Sequence, residues 1–448
     1  MSGDVPQQNC GVLGSFAVEE PQQLSTLDTH PLIREYFGEQ LKQRNHPAWQ
    51  EAHRRLYEYY ASQAVEHPTT TEEMAKLFTA VVHGCEAGLH QKVYEEVYRE
   101  RICRRENYYA TSNLGAIGAD LSALYGFFEH EVPYSWNRLV PGFDEDAQGF
   151  ILNAAGYDLG ALGRLKEGVG AMKAALEIHT AQAKWPQASI DAHCLSTQSA
   201  LLGEFDESLH YATQSVEFAD RGDQPGERWL RRTTLGSVLH WKGKLSEAQE
   251  AFEQAEAILK QVDPRCQFLH SLGGFRYCDL LLEKGEYPKV QTRAMWALDF
   301  AQKLGRLRDV ALDHLSLGRA YLLQVQLEHT SDFSLAEEEL NNAVDMLQEA
   351  SREDELPRAL LARAEYLRAR DKLKEAETDI NTAWYISRRG DYLLHQADCC
   401  LEYVRFYLVT EDAEKAREKY LKAKDIIGTT GYHRRDSDIR SLGEKLGM

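Results

Sequence analysis

Leu235-Gly236, then Gly243-Lys244-Leu245-Ser246-Glu247-Ala248, then Phe252 and Ala255, is the stretch that decides the fold. It lies within Glu227–Lys260 and reads as a helix, a tight turn at Gly243, and a second helix with small residues where the two touch. Aligned on that turn, Gly163, Gly203 and Gly285 head similar segments, and Asp371 and Glu411 take the same place in later ones. A helix pair cannot bury its apolar face alone, so repetition of the pair predicts an all-α stacked solenoid.

Outward from this unit the period is clear from Asp144 onward. A small residue opens each second helix at Gly168, Ser208, Ala248, Val290, Ala336, Ala376 and Ala416, with spacings of 40, 40, 42, 46, 40 and 40. Four residues on stand Met172, Phe252, Leu340, Ile380 and Tyr420, with Ala212 and Ala294 in the other two units. Seven residues on, Ala175, Ser215, Ala255, Ala297, Ala343, Ala383 and Ala423 are small again. Small, large, small on one helical face suits close antiparallel helices. The spacing of 46 places an insertion near 328–334, read as a lengthened turn. The expected organisation is a tail with partial winged-helix-like helices over 1–66, an atypical helical segment with a long loop over 67–143, seven helix pairs over 144–427, and a capping helix over 428–448.

These positions resemble the tetratricopeptide repeat (TPR) family. Leu235-Gly236, Leu317-Gly318 with Tyr321, and Ala248, Phe252 and Ala255 carry the resemblance, which covers about 144–427. The period is nearer 40 than the family's roughly 34, and the terminal proline is missing. The resemblance implies a right-handed superhelical solenoid of the longer-helix variety found in signalling sensors. A second resemblance concerns Leu27-Asp28-Thr29-His30-Pro31-Leu32-Ile33-Arg34-Glu35-Tyr36-Phe37, which is similar to the last helix of the winged-helix domain in STAND-type (NB-ARC/NACHT-like) signalling ATPases. It implies a repeat sensor without its motor, since no G-x-x-x-x-G-K-[ST] occurs.

In the N-terminal part, Asp28 or Thr29 can cap a helix with Pro31 in its first turn. A second helix runs from Ala48, and Thr70 with Glu73 forms a capping signal for a third. Helices over 72–88, 90–105 and 107–128 follow, the last with Gly115, Gly118 and Gly126 for close approach. Residues 12–18 read as a strand or hairpin arm, and 129–146 as the longest irregular stretch.

The net charge is −19, from 51 Lys+Arg against 70 Asp+Glu, so a general nucleic-acid binder is disfavoured. Arg99, Arg101, Arg104 and Arg105 are the best basic patch and read as a solvated helix face. No apolar run is long enough for a membrane span, and Met1–Gln8 lacks a signal-peptide pattern. Eight scattered cysteines without C-x-x-C fit a reducing cytoplasm, with Cys399-Cys400 read as free.

Chemistry-bearing motifs are sparse. His83, Cys85, His90 and Cys103 have metal-ligand types but not zinc spacing, so no metal and no cofactor is expected. Glu129-His130-Glu131 offers a histidine between carboxylates, without a nucleophile, and Glu337-Glu338-Glu339 reads as a solvated helix start. In a helix-pair solenoid the first helices line the concave side. Counting back from the turns places Asn153 and Tyr157, His193 and Thr197, Thr233, Ser237 and His240 there, followed by Phe275 and Asp279, Arg319, Arg358 and Glu365. Polar groups mixed with aromatics suit a peptide or protein ligand. The expectation is a non-enzymatic interaction scaffold, the sensing portion of a STAND-like system; alternatives are a free-standing assembly adaptor or co-chaperone, and an enzyme with a site in 83–146.

Overall fold

The computed structural model describes residues 30–130, 135–222 and 224–448. Readings that fall on 12–18, Cys10, Asp28, Thr29 and Glu131 lie outside the described residues. The chain divides into two units, residues 1–51 and 52–448.

In the first unit, α1 (Pro31–Arg44) starts with Pro31 at its first position and His30 as cap, whose Nδ1 accepts the Leu32 N–H at 3.3 Å. A missing donor at Pro31 costs nothing there, because the first turn has no intrahelical acceptor for it. Leu32, Ile33, Tyr36 and Phe37 are all exposed, Leu32 at 67% and Phe37 at 65%. The Trp49 ring lies against the bare Cα of Gly38, with the Lys42 ammonium 5.6 Å from its centroid. The unit boundary falls within α2 (His46–Gln63).

In the second unit, α3 (Thr71–Glu86) carries the capping signal in a variant form. Thr70 Oγ1 accepts the Glu73 N–H at 3.2 Å, while the Glu73 carboxylate reaches one residue further back, to the Thr69 N–H at 2.8 Å. Next come α4 (His90–Val93), a π-helical run at Tyr94–Ile102, a 3-10 turn at Arg105–Asn107, α5 (Tyr109–Ser112), α6 (Ile117–Leu124) and a 3-10 turn at Tyr125–Phe127. The single helix expected over 107–128 is therefore broken. Arg104, Arg105, Tyr108 and Gly115 all have positive φ, which an α-helix cannot contain. Tertiary contacts hold them there: Tyr108 stacks on Phe150 at 5.3 Å, and a Cβ on Gly115 would meet the Glu349 carbonyl at 2.8 Å. Gly126 admits Cys85, whereas nothing approaches Gly118, so close approach explains two of these three glycines. Of the arginine patch only Arg105 is a solvated side chain. Arg101 donates to the carbonyls of Ala61, Ala64 and Val65, which satisfies the C-terminus of α2, and Arg99 pairs with Asp146 at 3.0 Å.

Seven antiparallel helix pairs follow: α7 (Glu145–Ala161) with α8 (Leu165–Ala181), α9 (Trp185–Leu201) with α10 (Phe205–Arg221), and α11 (Pro225–Trp241) with α12 (Leu245–Val262). They continue with α13 (Ser271–Glu283) and α14 (Tyr287–Leu304), α15 (Leu307–Glu328) and α16 (Ser334–Glu349), α17 (Leu356–Ala369) and α18 (Leu373–Arg389), and α19 (Leu393–Val409) and α20 (Ala413–Thr430). A 3-10 turn at His433–Arg435 and α21 (Asp436–Leu446) close the unit. The turn residues read from the sequence, Gly163, Gly203, Gly243, Gly285, Asp371 and Glu411, all have φ between 57° and 81°. Every residue of the small–large–small set is buried, Phe252 completely. Its ring fits because Gly236 on the facing helix has no side chain: a Cβ there would sit 3.1 Å from the ring. Burying a phenylalanine contributes about 2–3 kcal/mol, so the repeated anchors carry much of the stacking energy. The insertion is taken up in part by the lengthened turn that the sequence suggests and in part by the helix before it. The turn spans five residues, 329–333, and α15 itself runs to 22 residues.

Within this second unit the solenoid returns on itself. A side chain on Gly163 would meet Tyr392, one on Gly203 would meet Thr430, and one on Gly243 would meet His433. Lys166 and Asp391 pair at 2.8 Å across the same seam. Among the described residues no helix is long and apolar enough to cross a membrane.

Candidate functional site

The first helices of the later pairs bring their inner faces together around a pocket of about 360 Å³. Helix α13 supplies Asp279 and Glu283, α15 Arg319, α17 Arg358 and Glu365, and α19 Asp398, Glu402 and Arg405. The turn before α21 adds Arg434 and Arg435 from the opposite side. The lining thus sets five arginines against six carboxylates.

Most of these charges are matched internally. Arg434 spans both oxygens of Asp279, with Nη2 3.0 Å from Oδ1, and its Nε donates to Glu283 at 2.8 Å. Arg319 adds a third cation contact to Asp279 at 2.6 Å. Burial pushes the Asp279 carboxyl upward, but Arg434 and Arg319 more than offset it and hold it well below the usual carboxylate range. His240 Nε2 lies 2.8 Å from Glu283, and burial with the neighbouring Arg434 lowers its pKa, which favours a neutral ring. Arg435 holds Asp398 at 2.7 Å, and Arg368 holds Glu402 at 2.9 Å. Burial nevertheless raises the Glu402 pKa.

Two groups are left loosely held. Arg358 Nε lies 3.3 Å from Glu355 Oε2 without hydrogen-bond geometry, and its guanidinium rests 5.7 Å from the Trp241 ring and 5.9 Å from Phe275. Among the described residues no ion pair holds Glu365.

Of the positions read from the sequence, Asp279, Arg319, Arg358 and Glu365 line this pocket. Tyr157, His193 and Thr197 line a second, smaller cavity of about 50 Å³. Phe275 is buried beneath Arg358, and His240 is tied to Glu283. Thr233 and Ser237 are buried, Thr233 donating to the Leu230 carbonyl at 2.7 Å. Asn153 is buried between Tyr108 and Asp191, donating to the latter at 2.6 Å. Arg405 was within reach of the same counting, since it stands six residues before Glu411 as Glu365 stands before Asp371. Arg434 and Arg435 carried no such signal, because they belong to the cap.

Elsewhere, His83 Nδ1 sits 3.1 Å from His53 Nδ1, and burial lowers the His83 pKa to about 4. Burial raises the Cys85 thiol. His130 stacks on Tyr125 at 4.1 Å. Among the described residues no three His, Cys, Asp or Glu side chains are placed to hold a metal ion. The described cysteines, Cys399 and Cys400 included, are free thiols.

The helix pairs, their turns and their buried small–large–small faces make this a TPR-like helical solenoid. Similar solved structures include a Rap protein complexed with competence and sporulation factor, with 13% identity over 80% of this chain and 98% of that one, at a TM-score of 0.46. Aspartyl phosphate phosphatase F from Bacillus subtilis is 13% identical over 74% of this chain and 89% of that one, at a TM-score of 0.39. A STAND protein with a tetratricopeptide repeat sensor from Pyrococcus horikoshii is 12% identical over 94% of this chain, which spans 63% of that chain, at a TM-score of 0.38. No protein-family model matches the chain, and the comparison with curated proteins returns no match.

Proposed function

We propose that the chain is a non-enzymatic recognition module whose inner wall binds a protein or peptide, and that it serves as the sensing portion of a STAND-like signalling system. The observation that carries the first part is the 360 Å³ charged pocket, built by three and more consecutive repeats and containing two loosely held charges, Arg358 and Glu365. A pocket assembled across repeats responds to any change in their stacking, so occupancy and solenoid geometry are coupled. Opposite charges set among aromatic and aliphatic side chains suit a peptide, whose backbone and side chains offer both donors and acceptors. Support for the second part is the resemblance of Leu27–Phe37 to a winged-helix segment, together with the exposed apolar residues Leu32, Ile33, Tyr36 and Phe37 on α1. Such a stripe is the kind of surface that packs on a partner module.

The test is affinity capture with the full chain, alongside Arg358→Gln and Glu365→Gln variants, followed by identification of what is retained. Partners lost with both variants support the pocket. Partners retained unchanged by both remove it. An isotherm showing ATP binding, or ATP turnover by the purified chain, overturns the non-enzymatic reading. A gene for a nucleotide-binding module beside this one favours the STAND-like role over a free-standing adaptor.

A further inference from the structure

The second helices of the pairs face away from the inner wall, and two of them, α18 and α20, frame a cationic groove there. Its floor is aromatic. Trp384 of α18 meets Tyr403 of α19 edge-on at 6.3 Å, and Tyr403 stacks on Tyr407 at 5.9 Å. Lys415, Lys419 and Lys422 stand at i, i+4 and i+7 on α20, one face of a helix. Each lies over a ring of the floor. Lys415 Nζ is 5.4 Å from the Tyr407 centroid, Lys419 Nζ is 5.2 Å from Tyr403 and 5.5 Å from Trp384, and Lys422 Nζ is 4.4 Å from Trp384. From α18 the Arg388 guanidinium reaches the same indole at 6.0 Å.

Three cations thus share one indole, in a chain whose net charge is −19. Lys422 and Arg388 are exposed and have no ion-pair partner among the described residues. Lys419 touches Glu418, its neighbour in sequence, at 3.4 Å, and Lys415 pairs with Asp412 at 2.9 Å. Cations gathered this closely repel one another, and an anion set among them relieves the repulsion. An ammonium resting on a ring face keeps N–H groups free for an acceptor. The ring also orders a side chain that a ligand would otherwise have to immobilise. Helix stacking does not require this indole. The place of Trp384, eight residues after the small residue that opens the helix, holds Leu176, Val216, Glu256, Leu298, Val344 and Lys424 in the other six pairs.

We propose that this outer groove docks an acidic segment of a partner protein, with side-chain carboxylates on Lys419, Lys422 and Arg388 and the segment laid across Trp384. The groove is a face distinct from the inner wall and does not depend on what that wall binds. From Lys415 to Lys422 the helix advances about 10 Å, the length of about three extended residues. A short acidic segment fits better than a nucleic acid, because the charge of −19 repels a long polyanion beyond the reach of the groove. It also fits better than an anionic lipid surface. Lys419 is only 20% exposed and lies down on the floor rings, whereas a flat surface needs cations that project.

Fluorescence anisotropy of fluorescein-labelled hexaglutamate, titrated with the full chain at low salt, tests the proposal. Labelled hexaglutamine, a labelled oligothymidylate of similar length and phosphatidylserine vesicles serve as comparison ligands. Lys424→Gln makes the same charge change on α20 as Lys422→Gln, at a side chain that rests on no ring of the floor. The expected result is saturable hexaglutamate binding that weakens as salt rises, with no binding of hexaglutamine. Affinity falls about tenfold in the Lys422→Gln/Arg388→Gln double variant and little in Lys424→Gln. These side chains are exposed, so an unchanged thermal midpoint confirms that the double variant is folded. No saturable hexaglutamate binding, an equal loss in Lys424→Gln, or tighter binding of oligothymidylate or vesicles through Lys422 each overturns the proposal. Loss of hexaglutamate in Arg358→Gln with none in the double variant also overturns it, and places the peptide on the inner wall instead.

Discussion

Replacing Arg434 with methionine removes the cation that ties the C-terminal turn to α13, 155 residues away in sequence. Arg434 has 4% of its side chain exposed and Asp279 6%, so water cannot take over the lost interaction. At about 3 Å and an effective dielectric near 20, one such contact is worth roughly 5 kcal/mol before desolvation is counted. Removing one partner of a buried pair costs about 3–5 kcal/mol in general. Arg319 remains 2.6 Å from Asp279 and retains part of the compensation, which places the expected loss near 3 kcal/mol. Asp279→Asn in the same background relieves the stranded charge, so the double variant is less destabilised than the sum of the singles by about 2 kcal/mol. Urea unfolding of all four proteins at pH 7 measures the cycle. The pH dependence supplies a second check. The folded carboxyl of Asp279 lies well below its unfolded value, so its contribution is present above about pH 4 and is lost as pH falls further. Additivity of the two changes to within about 0.5 kcal/mol, or an acid limb unchanged in Asp279→Asn, refutes the argument that this contact clamps the turn to the fourth repeat.

A buried pair works in the opposite direction. Burial raises Asp120 to about 6 and, with Asp120 nearby, raises Asp158 well above its ordinary value; Asp120 Oδ1 and Asp158 Oδ2 find no fixed donor. Raised folded values stabilise at low pH, and that stabilisation is lost as pH climbs from about 4 through about 6, so the urea midpoint falls over that range, and Asp158→Asn flattens the slope. Gly285→Ala isolates the cost of a left-handed turn, since φ is 74° and nothing lies within 4 Å of an added Cβ; a loss of about 1–2 kcal/mol is expected from chemical denaturation, and no loss removes the turn argument. Phe252→Ala empties the anchor facing Gly236 and costs about 3–5 kcal/mol by the same assay. Arg358→Gln and Glu365→Gln, by contrast, shift unfolding by under about 1 kcal/mol, because neither side chain has a well-formed internal partner to lose.

How much of this was legible follows from where the information sits. Ala248, Phe252 and Ala255 could be read because contacts between paired helices recur at fixed short spacing, and each repeat confirms the next. The turn glycines were legible for the same reason, and Asp371 and Glu411 only because alignment put them in glycine places. Ala183, Ser351 and Asp391 also have positive φ, yet they join one pair to the next and follow no shared residue type. The break of the helix expected over 107–128 is of that kind too, since Gly115 bends onto Glu349 and Ala350, which no local pattern announces. On the inner wall, counting back from the turns located Asp279 and Glu365, because register is periodic. It could not pair Asp279 with Arg434 or Tyr157 with Arg352, because those partners meet only when the solenoid returns on itself.

That return sets pairs of arginines on shared acceptors. Asp279 is shared by Arg319 and Arg434, Tyr157 by Arg308 and Arg352, and Glu402 by Arg368 and Arg405. Each of these groups accepts from two arginines, so the loss of one leaves the other in place, as Arg319 stays on Asp279 when Arg434 is removed. The remaining arginine lessens the penalty of an unpaired buried charge without cancelling it. Contacts made by these arginines connect helices from distant repeats, as Arg434 connects the cap to α13 and Arg352 connects the start of the sixth pair to α7. A ligand that redistributes them favours one stacking of the repeats over another by the difference in its contacts with each. These arginines therefore hold the seam between the first repeats and the last.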